Sequence, residues 1–383
     1  MIINLFTPEV QENKFSGGIY CIFKYAQGLV ERGHEVNVIA SYGSSRPKWI
    51  VYNGNFLVPK APKIKLGRGI KETIKKNVEY FDYLTFKAKS LDIKNLLSDR
   101  LLLNNPQVIP KADVSIATAW STAALVAKVG TGRKYYFMQH YESVFFDDNS
   151  YEGLIVESTY HLPLVKIANS TWLKGKIEDY LQNQEIVNLV TNAVDTNVYK
   201  CQSSIRKLSM SEKDINIISY GGRGVKWKGF NEMALAMRLV KEELSDWNIQ
   251  WNVYGESELL PDNNICNYNS LGFLNPNELS EAYCQNDILL SASWYESYPL
   301  FPIEAMACGL AVITTKQGTE DYAVDGYNAN IVKEKNINSI AEGIKDLIVN
   351  SEKRKLYGIN GIKTAKEQNW ESSVTKMLNV INA

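Results

Sequence analysis

The sequence predicts a doubly wound α/β protein made of two Rossmann-like halves. Residues 2–40 read as strand, loop, helix, strand, and residues 215–254 repeat that order. A third strand-loop-helix-strand run spans residues 289–315. A chain of 383 residues is long for one core and fits two domains of ordinary size.

The elements follow from local pattern. Residues 2–6 form a short apolar run, the signature of a buried strand, and a polar loop then ends at Gly17 and Gly18. A helix is predicted over 19–31, with Ile22, Tyr25, Ala26 and Leu29 on one face and Gly33 as its stop. Residues 34–40 supply the next strand, and the run from Tyr135 reads as another that ends near His140. Irregular residues around Asp195, Asn197, Ser203 and Ser204 mark a connection over 195–212. The second half then reads as strand 215–220, loop 221–229, amphipathic helix 230–244 and strand 248–254. Residues 289–293 are a buried strand ending in small residues, Ala305 to Gly309 a helix stopped by glycine, and 310–315 the next strand. Three further helices are predicted over 337–350, 353–368 and 370–381, the last with Val374, Met377, Leu378 and Ile381 as its apolar face.

Composition excludes several classes. With 45% hydrophobic and 22% charged residues the chain is globular, neither disordered nor fibrous. Lys plus Arg equals Asp plus Glu at 42 each, so no global field favours nucleic acid. Five scattered cysteines without a CxxC spacing argue against a disulfide framework, and buried free thiols are expected. His34, His140 and His161 lie far apart, so no metal centre is expected. The opening run is too quickly polar for a signal peptide, and no window is apolar enough to span a bilayer. A cytoplasmic protein, in solution or resting on a membrane, is the expectation.

Glu296 and Glu304 are the most informative residues. Ionised carboxylates only accept hydrogen bonds, so two of them suit a site that reads several hydroxyl groups of sugar or ribose rings. The loop holding Glu296 leaves a strand's carboxyl end, where ligands of open α/β sheets bind. Backbone N–H groups at the start of the helix carrying Glu304 would point at an anion. Gly17 and Gly18 allow the same close approach at the first helix. Together these features point to a nucleotide-sugar site; two solvated glutamates are the plain alternative.

Glu296 through Glu304 matches the E-x7-E motif of retaining GT-B glycosyltransferases, and the stretch to Val332 resembles the GT4 group, glycosyltransferase group 1. Further matches are Ser16-Gly17-Gly18, Ala168 to Leu173, Asn192-Ala193-Val194-Asp195, Gly222-Arg223 through Lys228-Gly229, and Asp325-Gly326. The resemblance implies two Rossmann-like domains facing across a cleft: residues 1–195 plus 366–383 on the acceptor side, with the last helix crossing back, and 196–365 on the donor side. It implies that Arg223 and Lys228 clamp a nucleotide diphosphate, that Glu304 binds the ribose hydroxyls, and that Glu296 binds those of the donor sugar. Backbone amides around Ser297, Tyr298 and Leu300 would touch phosphate or sugar. Pro299 stands where many relatives have Gly, which removes one donor.

His140 is a candidate sugar contact through its place in the first domain, with Gln139 and Glu142 beside it; a structural histidine is the alternative. That segment resembles GT4 members of cell-surface polysaccharide pathways. Residues 60–100 hold eleven basic and five acidic residues among apolar and aromatic ones. They fit either an anionic membrane surface or a solvated helix pair. The resemblance thus implies a retaining glycosyltransferase acting on a nucleotide diphosphate sugar and a glycan or lipid-linked acceptor, with no metal or cofactor. A sugar-nucleotide epimerase and a catalytically silent partner subunit remain the rival readings. A nicotinamide oxidoreductase is disfavoured, since the G-x-G-x-x-G fingerprint is missing.

Overall fold

The computed structural model describes residues 1–59, 102–103, 106–147, 149–201, 213–222, 224–256, 260 and 264–383. The chain divides into two compact units. The first comprises Met1–Asn169, Lys174–Val190 and Val374–Ala383, and the second Ser170–Leu173 and Thr191–Ser373.

In the first unit the elements run β1 (Ile2–Thr7), α1 (Gly17–Glu31), β2 (Glu35–Ala40), β3 (Asn55–Leu57), β4 (Val114–Ala117), α2 (Trp120–Val129), β5 (Arg133–Met138), α3 (Tyr151–Tyr160), β6 (Val165–Ala168), α4 (Thr171–Tyr180) and β7 (Asn188–Leu189). Its strands are all parallel, in the order β3-β2-β1-β4-β5-β6-β7. Ile3, Leu5 and Phe6 of β1 are buried, as expected of a parallel strand covered on both faces.

The second unit repeats the design with β8 (Asp214–Tyr220), α5 (Phe230–Glu243), β9 (Asn248–Tyr254), β10 (Asn269–Gly272), α6 (Pro276–Cys284), β11 (Ile288–Leu290), α7 (Leu300–Ala307), β12 (Ala311–Thr315), β13 (Ala329–Val332), α8 (Ile337–Val349), α9 (Ser351–Glu367) and α10 (Trp370–Asn382). The sheet order is β10-β9-β8-β11-β12-β13, again parallel throughout. In each unit, therefore, the first strand is flanked by the second and the fourth. That reversal is the switch point at which open α/β sheets bind ligands. One core layer forms where Ile340, Ile344, Leu347 and Ile348 of α8 meet Met233, Met237 and Val240 of α5.

Local chemistry sets the helix ends. Asn275 accepts from the N–H groups of Asn277 and Glu278, and the Glu278 carboxylate returns to the Asn275 N–H at 2.8 Å, a capping box that starts α6. The α7 helix has eight residues; Pro299 precedes it and Gly309, at φ 80°, follows it.

The change between units differs in position from the sequence reading of 195 and 366. Val194 donates to the Gln368 carbonyl at 3.0 Å, which ties residues on both sides of those marks into the second unit. From Val374 onward α10 belongs to the first unit. There Val374 lies so close to Gly28 that a Cβ on Gly28 would meet it at 2.5 Å, and Tyr135 donates to the carbonyls of Val380 and Ile381.

The cysteine expectation needs correction. Cys201 and Cys284 are joined by a disulfide with Cα atoms 5.6 Å apart, while Cys21, Cys266 and Cys308 are free and buried. Their separation of 83 residues is why no sequence spacing betrayed the pair. Cys308 completes a group of three sulfurs within 4.8 Å of one another. Burial pushes its thiol up to about 12, with Ser280 opposing and Glu304 adding to the shift.

Candidate active site

Three loops of the second unit converge at the switch point. The loop after β8 carries Lys226–Lys228, the loop after β11 carries Glu296, and the turn after β12 contains Gly318. Gly229 has φ 68°, and a Cβ there would lie 2.0 Å from the Ala292 carbonyl oxygen, so only glycine lets the first loop press against the second. Trp294 N–H donates to the Trp227 carbonyl at 2.7 Å across the same junction. Gly318, at φ 85°, is held equally close: its Cβ would fall 2.2 Å from the Glu296 carbonyl oxygen.

This packing brings Lys228 Nζ to 2.5 Å from Glu296 Oε1, although 68 residues separate them. Ser293 Oγ donates to the same carboxylate oxygen at 3.0 Å, and Thr315 Oγ1 holds the Ser293 carbonyl at 2.6 Å. The Lys228 ammonium also sits 5.7 Å from the ring centroids of both Tyr220 and Phe301, within cation–π range. Glu296 is only 8% exposed. A buried carboxylate of this kind is costly unless paired, and Lys228 supplies the pairing.

Glu304 is the fifth residue of α7 and 6% exposed. Burial pushes its carboxyl up to about 8, while a hydrogen bond from Tyr199 opposes the shift. Near neutral pH Glu304 therefore holds a proton, able to donate one hydrogen bond and accept others. Ser297 and Tyr298 are buried, with Ser297 Oγ 3.4 Å from Ser170 Oγ and the Tyr298 ring 5.2 Å from that of Tyr322. Leu300 opens α7, and the Pro299 carbonyl accepts from Tyr322 OH at 2.7 Å. The first N–H groups of α7 lack intrahelical acceptors and so can meet an anion.

Gly17, Gly18 and His140 belong to the first unit. Gly17 and Gly18 form the start of α1 in the first unit, and a Cβ at either would meet nothing within 4 Å. His140, also in the first unit, has Nδ1 3.3 Å from the Tyr141 carbonyl and its ring 4.7 Å from that of Phe145. Beside it the Glu142 carboxylate accepts from the Trp120 N–H at 2.8 Å and from Tyr136 OH at 3.0 Å. Burial pushes Glu142 up to about 7 against those two bonds. Arg223 and residues 60–100 lie outside the described residues. Sequence reasoning missed Ser293, Tyr220, Phe301 and Tyr199. Ser293 and Tyr220 each end a strand that was read, but nothing local singles out Phe301 or Tyr199.

The family described as glycosyl transferases group 1 matches residues 202–364, the stretch that contains Lys228, Glu296 and Glu304. Residues 202–364 are a group 1 glycosyltransferase domain. Uncharacterized glycosyltransferase MJ1178 of Methanocaldococcus jannaschii is 26% identical over 54% of this chain and 56% of its own length. The O-antigen biosynthesis protein RfbC of Myxococcus xanthus is 23% identical over 71% of this chain and 21% of its own. The chain thus spans about half or less of these curated relatives. Anabaena HepE, solved in complex with UDP and glucose, superposes with a TM-score of 0.72 at 15% identity, covering 100% of this chain and 99% of that one. The glycosyltransferase domain and the unit before it therefore have the GT-B fold, two Rossmann-like domains in succession. Among the described residues of this chain, no helix is long and apolar enough to cross a membrane.

Proposed function

We propose that this chain is a retaining, GT4-type glycosyltransferase that moves a sugar from a nucleoside diphosphate donor to a glycan or lipid-linked acceptor in cell-surface polysaccharide synthesis. The observation that carries the reading is the Lys228–Glu296 pair at the switch point of a group 1 domain. HepE, with UDP and glucose on the same fold, supports the donor class, and the likeness to RfbC supports the pathway.

On this reading Lys228 and Glu296 neutralise each other until the donor arrives. The diphosphate then takes the ammonium as its counterion, joined by Arg223, and sugar hydroxyls donate to the freed carboxylate. Glu304 meets the ribose hydroxyls. His140 contacts the sugar, Gly17 and Gly18 take part in donor binding, and the amides at Ser297, Tyr298 and Leu300 meet phosphate or sugar. As the glycosidic bond breaks, charge grows on the leaving diphosphate, and a fixed cation there stabilises the transition state more than the ground state. The acceptor hydroxyl attacks from the face the diphosphate leaves, and its proton passes to a diphosphate oxygen. No covalent enzyme intermediate is formed. The fixed cations take the place that a divalent metal would hold.

The test is product stereochemistry under excess chelator. The anomeric coupling at the new linkage should match that of the donor. An inverted product, or activity abolished by chelation and restored by magnesium or manganese, overturns the proposal. Isomerised sugar nucleotide from donor incubated alone would favour an epimerase instead.

A further inference from the structure

The titratable side chains that feel the Glu304 carboxylate share one character. From β9 comes Tyr254, from α6 Tyr283, from the turn after β12 Tyr322, and from its own helix end Cys308; each is a weak acid whose proton burial holds in place. A hydrogen bond to the Glu304 carboxylate comes from Tyr199, a residue 4% exposed that the donor-site reading does not use.

The backbone of Tyr199 is set by a turn in which the N–H groups of Val198 and Tyr199 donate to the Asp195 carbonyl at 3.0 and 2.9 Å. Its ring centroid lies 6.3 Å from that of Tyr283, whose hydroxyl is 3.0 Å from that of Tyr254. The disulfide ties the two arms of this cluster together: Cys201 is two residues beyond Tyr199, and Cys284 directly follows Tyr283. The segment leading out of Tyr199 is thereby fastened to α6, whose end lies against Glu304.

We propose that Tyr199 is a positioning residue for Glu304 and that the Cys201–Cys284 disulfide is the tether that keeps it there. The proposal rests on the reading of Glu304 as the ribose-binding carboxylate. The Tyr199 hydroxyl fixes one carboxylate oxygen and favours the ionised form, leaving the other oxygen free for a ribose hydroxyl. Without that bond the carboxyl keeps its proton to higher pH and swings between rotamers.

Calorimetric affinity for UDP, GDP, dTDP and ADP, measured from pH 6 to 9, tests both halves. Glu304→Gln serves as the reference, since it removes the Glu304 titration and keeps that of the nucleotide and of every other group, Glu142 at about 7 included. The wild type should gain affinity through the midpoint set by Glu304. Tyr199→Phe keeps the ring and should move that midpoint upward by about one unit, costing roughly tenfold in affinity at pH 7. The Cys201→Ser/Cys284→Ser variant should shift it the same way, and the triple variant should shift no further than Tyr199→Phe. An unmoved midpoint in Tyr199→Phe with an unchanged melting temperature overturns the positioning role. Full additivity in the triple variant overturns the tether. Absence of binding to all four nucleotides by the wild type would overturn the donor-site reading itself, a result distinct from binding with an unmoved midpoint.

Discussion

Lys228 and Glu296, the pair proposed to meet the donor, hold each other in the resting protein. Their side chains are largely shielded, at 18% and 11% exposure, so deleting one leaves a nearly buried charge uncompensated. Lys228→Ala should lower kcat by about 10²–10³-fold, the effect of losing one preorganised donor to developing charge, on the order of 2.7–4 kcal/mol. Steady-state kinetics with saturating donor reads this, and a near-normal kcat would remove Lys228 from the leaving-group role. The two glutamates should separate in the same assays. Glu304→Ala weakens nucleoside diphosphate binding by calorimetry, whereas Glu296→Ala chiefly lowers turnover, because one is assigned to ribose and the other to the reacting sugar.

At the scale of elements, the site depends on three loops approaching more closely than side chains allow. Gly318 is the sharpest case, because left-handed backbone and contact with the Glu296 carbonyl coincide there. Gly318→Ala adds a strained φ and a clash with backbone that cannot swing away, so the Glu296 loop must move. A loss of about 1–3 kcal/mol is expected. In a chain of 383 residues that corresponds to roughly 1–4 °C in melting temperature. The turnover loss should exceed what the fraction unfolded explains. A variant with wild-type melting and turnover would show that the turn relaxes without disturbing Glu296.

For the whole molecule, buried acids make stability depend on pH in an unusual direction. Glu304 and Glu142 are raised to about 8 and about 7 from an ordinary value of 4.5. Below pH 4.5 both are protonated folded or unfolded. Above it the unfolded chain loses these protons first, so it binds fewer than the native state, and stability falls as pH rises until the folded groups also ionise. The contribution is complete at acid pH and gone above about 8. Glu304→Gln should therefore lose less melting temperature between pH 5 and pH 8 than the wild type, as read by calorimetric scans. An identical slope would mean that Glu304 does not titrate in that window. Both sheets share one strand order, so each unit presents its first and fourth strands side by side, and in the second unit Lys228 and Glu296 meet there.

The sequence alone determined what local pattern can carry. Apolar runs and helical faces marked β1, α1 and β2 as well as β8, α5 and β9, because burial on a sheet or helix imposes a period within a few residues. The spacing of Glu296 and Glu304 and the glycine-flanked loop before Lys228 marked the candidate site, because a strand end and a helix start confine such residues to one edge. The tertiary structure decided the rest. Crossover connections set β11 beside β8, and only that adjacency joins Lys228 to Glu296 across 68 residues. The Cys201–Cys284 bond, the Tyr199 contact and the proton on Glu304 likewise arise from what surrounds each group in space. Desolvation and pairing depend on neighbours distant in sequence, and local periodicity does not reach them.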